Sequence, residues 1–178
     1  SMNNQLSVSP VSEREFRVPS GDDTDGILEF LKKNDGKKVV AVQGLGFVGT
    51  VMSLVVANSE KNEYAVIGVD QQDTNSYWKI GDINTGTCPI VSSDPLVSQF
   101  FDNSFEAQNF YATYDSNAFE KADVIIVDIN LDVTKSKDEE GSIISYDVPL
   151  EGFKAAIKSI GEVCKPDVLL LVETTVPP

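Results

Sequence analysis

The apolar positions of this 178-residue chain fall into short continuous runs that alternate with segments of helical spacing. Continuous apolar runs of this length are typical of strands covered on both faces of a sheet. The predicted strands are residues 38–43, 64–69, 110–113 (the weakest), 123–129 and 167–172. Apolar residues three or four positions apart predict helices over residues 47–59 and 148–163. Pro166 ends the second helix, because proline cannot extend a helix.

Strands and helices alternate from residue 38 to the end of the chain. Connections long enough for a right-handed crossover indicate parallel strands. We therefore predict an α/β fold with a Rossmann-type doubly wound parallel sheet, formed by one domain over residues 38–178.

Residues 1–37 have a different pattern and are predicted to be an N-terminal extension. Residues 1–26 are polar with little periodicity, which favours an extension or a loosely docked arm. Acidic residues then precede the apolar positions Ile27, Leu28, Phe30 and Leu31, so we expect a short helix from about residue 25 to 34.

Composition excludes several kinds of function. The formal net charge of −14 argues against binding to nucleic acid or to an anionic membrane, because both need a basic surface. The chain has no His, which removes His-dependent nucleophilic catalysis and His-ligated metal sites, and its two Cys form no metal-binding pair. We expect no metal and a cytoplasmic location.

A glycine-rich turn follows the first predicted strand of the domain. Gly44, Gly46 and Gly49 form the pattern G-x-G-x-x-G between a strand and a helix, which is the context that dinucleotide binding requires. Gly44 permits a tight turn, Gly46 allows close approach of a pyrophosphate, and Gly49 allows the helix to pack on the sheet. We expect the pyrophosphate to contact this turn and the helix N-terminus, which comprise Gly44, Leu45, Gly46, Phe47, Val48 and Gly49.

Asp70 ends the second strand, 21 residues after Gly49. A carboxylate at this position accepts hydrogen bonds from the adenosine ribose and repels a 2′-phosphate. The predicted cofactor is therefore NAD rather than NADP.

Four segments, in this order, resemble the N-terminal NAD-binding domain of the UDP-glucose/GDP-mannose dehydrogenase family, the nucleotide-sugar 6-dehydrogenases. They are the turn at 44–49, the segment 83–90 (INTGTCPI), the strand from residue 122 to Asn130, and Glu173-Thr174-Thr175-Val176-Pro177. The resemblance covers residues 38–178.

The resemblance implies oxidation of the C6 hydroxyl of a UDP- or GDP-sugar to a carboxylate, with two NAD+ consumed per turnover. In the family a cysteine holds the intermediate aldehyde as a thiohemiacetal. That cysteine and the catalytic lysine belong to family regions beyond Pro178, and neither Cys88 nor Cys164 matches the nucleophile's motif. We therefore expect this fragment alone to bind NAD without turnover.

Further site residues follow from the resemblance. Lys79 matches a basic residue near the adenosine ribose or phosphate, and Asn130 lies in a segment that passes the cofactor. Thr174 corresponds to a cofactor-contacting residue, and Thr175 to the catalytic threonine that positions a water or carboxylate. The implied partner is a nucleotide-sugar substrate, and the implied process is polysaccharide biosynthesis. The full-length enzyme would be a homodimer, whereas we expect the fragment to be monomeric or weakly associated.

Two alternatives stay open. One is the N-terminal domain of a 3-hydroxyacid-type NAD-dependent dehydrogenase, which also has a Rossmann fold. The other is a non-catalytic NAD-binding module.

Overall fold

The five predicted strands form one parallel sheet. The computed structural model describes the backbone of residues 5–130, 134–137, 143–147, 158, 160 and 162–175, and the side chains of residues 5–127, 158, 160 and 162–172. The sheet strands are β3 (Lys38–Gln43), β4 (Tyr64–Val69), β5 (Phe110–Thr113), β6 (Val124–Asn130) and β9 (Leu169–Thr175). Their order across the sheet is β5-β4-β3-β6-β9, and every pair is parallel.

The chain leaves β3 towards one edge of the sheet, through β4 and β5, and then returns to the other side of β3 to form β6 and β9. The carboxyl ends of β3 and β6 therefore flank a topological switch point, where open α/β sheets bind their ligands. This arrangement is an α/β Rossmann-type fold and confirms the predicted class.

Apolar side chains cover both faces of the sheet. Ala41, Ile67 and Ile125 pack with α1 (Thr24–Lys33) and a 3-10 helix (Ser116–Lys121) on one face. The other face packs against α2 (Phe47–Ala57), α3 (Tyr77–Thr85) and α4 (Pro95–Ala107) and includes Val40, Val42, Val66, Leu54, Ile83 and Phe101. Successive strand residues enter opposite layers, which explains why β3 is a continuous apolar run.

The predicted helices over residues 25–34 and 47–59 are α1 and α2 with small changes at their ends. Of the helix predicted over residues 148–163, residues 158, 160, 162 and 163 are helical, and the others lie outside the described residues. The pattern did not predict α3, α4 or the antiparallel pair β7 (Thr134–Lys137) and β8 (Ile143–Asp147).

Local capping explains where α3 and α4 end and begin. Gly86 follows α3 with a φ of 100°, a left-handed conformation that favours glycine. The Asp94 carboxylate accepts a hydrogen bond of 2.9 Å from the Leu96 N–H at the start of α4, and Pro95 occupies the first turn.

Asn84, near the end of α3, protects the outer edge of the sheet. Its side-chain amide donates to the Ala112 carbonyl at 2.8 Å, and its side-chain oxygen accepts from the Ala112 N–H at 2.9 Å. Both bonds lie at strand β5, the edge of the sheet, and replace the pairing that a further strand would give. This gives a structural role to one residue of the 83–90 segment.

The N-terminal extension is packed against the domain, which agrees with an extension and excludes the alternative of a loosely docked arm. Strands β1 (Leu6–Val8) and β2 (Glu15–Arg17) form an antiparallel hairpin. Ser7, Ser9 and Val18 are at most 2% exposed. Helix α1 contributes Ile27 and Phe30 to the core. Short strands containing serine and charged residues have no apolar alternation, so periodicity does not find them.

Strand β9 differs from the expectation that it is covered on both faces. Its four successive apolar residues, Leu169 to Val172, are 40–55% exposed. It is one of the two edge strands of the five-stranded sheet, with β5 at the other edge. An apolar run predicts a strand, but it does not distinguish a central position from an edge.

Candidate functional site

The glycine-rich turn is anchored to the end of β4. Gly44 has a φ of 100°, and its N–H donates to the Val69 carbonyl at 2.8 Å. The Leu45 side chain is fully buried and packs against Gly68, where any larger residue would collide with it. These contacts fix the turn between β3 and α2, so its position is set before any ligand binds.

Gly46 is the N-cap of α2 and has an extended conformation, with φ −70° and ψ −167°. The first helical bond runs from the Thr50 N–H to the Gly46 carbonyl at 3.0 Å. Helix geometry leaves the N–H groups of the preceding turn without intrahelical acceptors. The first turn of α2 contains no acidic residue, so no side-chain carboxylate of that turn competes for them.

The space around Gly46 is open. A Cβ built on Gly46 would have no protein atom within 4 Å. The backbone conformation of Gly46 is also accessible to other residues. The fold itself therefore does not require glycine here, whereas a ligand lying against the backbone would.

Asp70 lies beside the turn and is held by three donors. Its Oδ2 accepts from the Leu45 N–H at 2.9 Å and from Lys79 Nζ at 2.8 Å, and its Oδ1 accepts from the Gln71 N–H at 2.7 Å. The side chains of Asp70 and Lys79 are 11% and 18% exposed. A carboxylate offers about four acceptor directions, so Asp70 retains capacity for a ribose hydroxyl.

The ion pair of Asp70 with Lys79 weakens the charge repulsion that the sequence predicts for Asp70. Asp70 alone would repel a 2′-phosphate, but the Lys79 ammonium compensates much of its charge at this distance. Repulsion of a 2′-phosphate by Asp70 is therefore weaker than the sequence alone predicts.

The backbone register brings the remaining predicted residues to the same edge of the sheet. Asn130 is paired with Thr175, and Ile129 with Thr174, at the carboxyl ends of β6 and β9. Gln43, the last residue of β3, is paired with Val127, so β6 continues three residues beyond it. The side chains of Asn130, Thr174 and Thr175 lie outside the described residues.

The family model described as "UDP-glucose/GDP-mannose dehydrogenase family, NAD binding domain" matches residues 38–178. The chain belongs to the UDP-glucose/GDP-mannose dehydrogenase family. Residues 38–178 are its NAD-binding domain, and the cofactor of the family is NAD. No curated protein matches the chain.

Two solved structures share the fold of this dehydrogenase domain. The NDP-N-acetyl-D-galactosaminuronic acid dehydrogenase from Methanosarcina mazei Go1 is 23% identical, with a TM-score of 0.66 over 89% of this chain and 31% of that one. The UDP-D-ManNAc dehydrogenase from Pyrococcus horikoshii is also 23% identical, with a TM-score of 0.59 over 79% of this chain and 29% of that one. The chain therefore spans less than a third of the length of either.

Other candidate chemistry in this dehydrogenase domain is sparse. Cys88 and Cys164 are half-buried free thiols, and burial raises the pKa of Cys88, which disfavours its thiolate. Within the described part of the chain, no cluster of three or more acidic or Cys side chains could hold a metal ion. No helix in that part has the length and apolarity to cross a membrane.

A groove of about 380 Å³ lies apart from the turn, between α1, α3, α4 and the edge strand β5. Phe30, Phe105, Phe110 and Tyr111 line it, with Glu29 and Lys33 at its rim. Its lining includes no residue of the glycine-rich turn and neither Asp70 nor Lys79. It is therefore not the cofactor site that the turn indicates.

Sequence reasoning missed the residues that support the segment after Asp70. Ser7, in the N-terminal hairpin, is hydrogen-bonded to the backbone of Thr74 and Trp78. Gln72, in the segment itself, is hydrogen-bonded to the Pro19 carbonyl of the extension. Partners 53 to 71 residues apart leave no local signal in a sequence.

Proposed function

We propose that this chain holds NAD+ for the oxidation of the C6 hydroxyl of a UDP- or GDP-sugar to a carboxylate. The observation that carries the proposal is the turn at the N-terminus of α2, which is rigidly anchored, open at Gly46 and adjacent to Asp70. Family membership supplies the reaction class. The two similar structures are dehydrogenases that are named for nucleotide-sugar compounds.

The pyrophosphate would lie against Gly46 and the N–H groups of Phe47 and Val48, where the helix dipole favours an anion. Asp70 would accept a hydrogen bond from the adenosine ribose, with Lys79 at its side. The nicotinamide, when bound, supplies the hydride acceptor for the oxidation. The fit is supported by the open space at Gly46 and by the free acceptor capacity of Asp70.

The substrate side of the site would lie at the carboxyl ends of β6 and β9. We assign Asn130 and Thr174 to the nicotinamide side and Thr175 to the positioning of a water or carboxylate. Their support is the register, which pairs Asn130 with Thr175 beside the switch point. A threonine hydroxyl donates and accepts hydrogen bonds, as orientation of a water requires.

The catalytic cysteine and lysine would be supplied by a part of the enzyme outside this chain. We therefore expect the chain to bind NAD+ without reducing it in the presence of UDP-glucose or GDP-mannose. The intact enzyme would be a cytoplasmic homodimer that provides sugar acids for polysaccharide synthesis. Sedimentation of the chain alone should give a monomer or a weakly associating species.

Calorimetric titration with NAD+ and NADP+ tests the cofactor assignment. The chain should bind NAD+ more tightly than NADP+. Asp70→Ala leaves Lys79 unpaired beside the ribose, so we expect it to weaken NAD+ binding and to narrow or invert the preference. Asp123→Ala is the matched control, because Asp123 is also paired with a lysine, Lys165 at 3.0 Å, at the opposite end of the sheet.

The results distinguish the ribose contact of Asp70 from the binding of NAD+ by the chain as a whole. Loss of the NAD+ preference in Asp70→Ala, with unchanged preference in Asp123→Ala, would support the ribose contact. If both variants keep the NAD+ preference of the unaltered chain, Asp70 does not belong to the cofactor site. No binding of either nucleotide by the unaltered chain would contradict the proposed cofactor function of the isolated chain.

A further inference from the structure

The N-terminal extension holds the segment that follows Asp70. Ser7 Oγ donates to the Thr74 carbonyl at 2.7 Å and accepts from the Trp78 N–H at 2.8 Å. Ser7 is fully buried, whereas residues 71–75 are exposed. One hydroxyl of the extension thus satisfies two backbone groups of a surface segment that begins one residue after Asp70.

A second set of contacts ties the extension to Gln72 and to the end of strand β5 beside Asp70. Gln72 Nε2 donates to the Pro19 carbonyl at 2.5 Å. The Asp70 N–H donates to the Thr113 carbonyl at 3.1 Å, and Thr113 Oγ1 donates to the Asp23 carboxylate at 2.7 Å. The extension is therefore bonded both to the segment after Asp70 and to the strand end beside it.

The same hairpin fixes helix α3, which carries Lys79. Ser9 Oγ and Ser12 Oγ donate to the two oxygens of the buried Asp82 carboxylate at 2.5 and 2.6 Å. The ring of Phe16 packs so closely on Gly81 that a side chain there would collide with it. These contacts lie on the helix within three residues of Lys79.

We propose that residues 5–23 are a positioning element for the adenosine half of the cofactor site, with Ser7 as its central residue. The inference rests on the proposed function. The extension fixes residues 71–79 in the free protein, so that Asp70 and Lys79 are in place before NAD+ arrives. A segment ordered in advance does not lose conformational entropy on binding, and this increases affinity.

Ser7→Ala tests the proposal with little change of volume. It leaves the Thr74 carbonyl and the Trp78 N–H without their buried partner, which frees the segment locally. Ser104→Ala is the matched control, because Ser104 is also a buried serine, and its hydroxyl donates within α4 to the Phe101 carbonyl at 2.9 Å.

Two measurements are made on each variant of the whole chain. Calorimetry gives Kd for NAD+ and for ADP-ribose, and hydrogen exchange gives the protection of the backbone amides of residues 71–79. For Ser7→Ala we expect both Kd values to rise by roughly three- to tenfold, which corresponds to the loss of one or two hydrogen bonds. Amide exchange in residues 71–79 should accelerate, and Ser104→Ala should change neither quantity.

A merely structural role would leave both Kd values unchanged, because a variant that is less stable but still folded binds NAD+ and ADP-ribose as the unaltered chain does. If Ser7→Ala keeps both Kd values, or if exchange in residues 71–79 is unchanged, the proposal is wrong. If the unaltered chain binds neither ligand, the proposed function fails and this inference fails with it. If the unaltered chain binds both ligands and Ser7→Ala binds them equally tightly or more tightly, this inference alone fails.

Discussion

Replacement of Gly46 by alanine should separate the stability of the fold from cofactor binding. The added methyl group meets no protein atom within 4 Å, and the φ of Gly46 is −70°. The free protein therefore accommodates Gly46→Ala without collision or backbone strain. A pyrophosphate lying against this backbone would collide with the same methyl group.

The expected change in stability is small because two effects oppose each other. Alanine is a poorer N-cap than glycine, by up to about 1 kcal/mol. It also restricts the unfolded chain, which stabilises the protein by roughly 0.4–1 kcal/mol. The net free energy of unfolding should change by less than about 1 kcal/mol, whereas NAD+ affinity should fall by at least about tenfold, or about 1.4 kcal/mol.

Gly44→Ala provides the contrast. Gly44 has a φ of 100°, so alanine there should cost about 1–2 kcal/mol of stability even without ligand. Urea unfolding and NAD+ calorimetry on both variants measure the two quantities. A Gly46→Ala protein that binds NAD+ as tightly as the unaltered chain would refute close approach of the pyrophosphate at Gly46. One destabilised by several kcal/mol would refute the open space.

Three further predictions concern stability. Asn84→Ala should cost about 2–4 kcal/mol in urea unfolding, because it orphans the buried N–H and carbonyl of Ala112; the exposed Asn103→Ala should cost almost nothing. A hydrogen bond from the Val39 N–H and the nearby Lys165 lower the pKa of Asp123. The ionised carboxylate therefore adds to the free energy of unfolding above about pH 4, and this contribution is lost as pH falls further. Asp123→Asn should flatten the acid side of a stability–pH profile. Burial raises the pKa of Tyr114 to about 12. The neutral phenol therefore adds fully to the free energy of unfolding below about pH 10, and this contribution declines as pH rises towards 12. Tyr114→Phe should flatten this loss of stability at alkaline pH.

Most of the sheet could be predicted because its signal is local. Strands buried on both faces need apolar residues at every position, and β3, β4 and β5 have the predicted bounds. The glycine-rich turn was also predictable, since its three glycines form a pattern within six positions, although the contacts that anchor it come from the end of β4. The helices α3 and α4 were missed because their buried residues include Gly81 and Asp82 in α3 and Ser104 in α4, which weakens the apolar periodicity.

Long-range polar contacts were not predictable. The buried serines of the hairpin resemble coil residues, and Asp82 resembles a solvated carboxylate until Ser9 and Ser12 are seen beside it. The role of Asn84 at the sheet edge also depends on a partner 28 residues away. Such pairs are specified by the assembled fold, so a pattern read along the chain contains no trace of them.

The acidic composition and the anionic cofactor are compatible because different length scales govern them. The net charge of −14 is spread over the chain, and its field is screened beyond about 8–10 Å at moderate ionic strength. At the turn itself, the nearest charges and dipoles decide. The first turn of α2 has no acidic side chain, and Lys79 compensates Asp70 at 2.8 Å. A nucleic acid would contact a large part of the negatively charged surface, whereas a pyrophosphate is small enough to contact only the helix N-terminus.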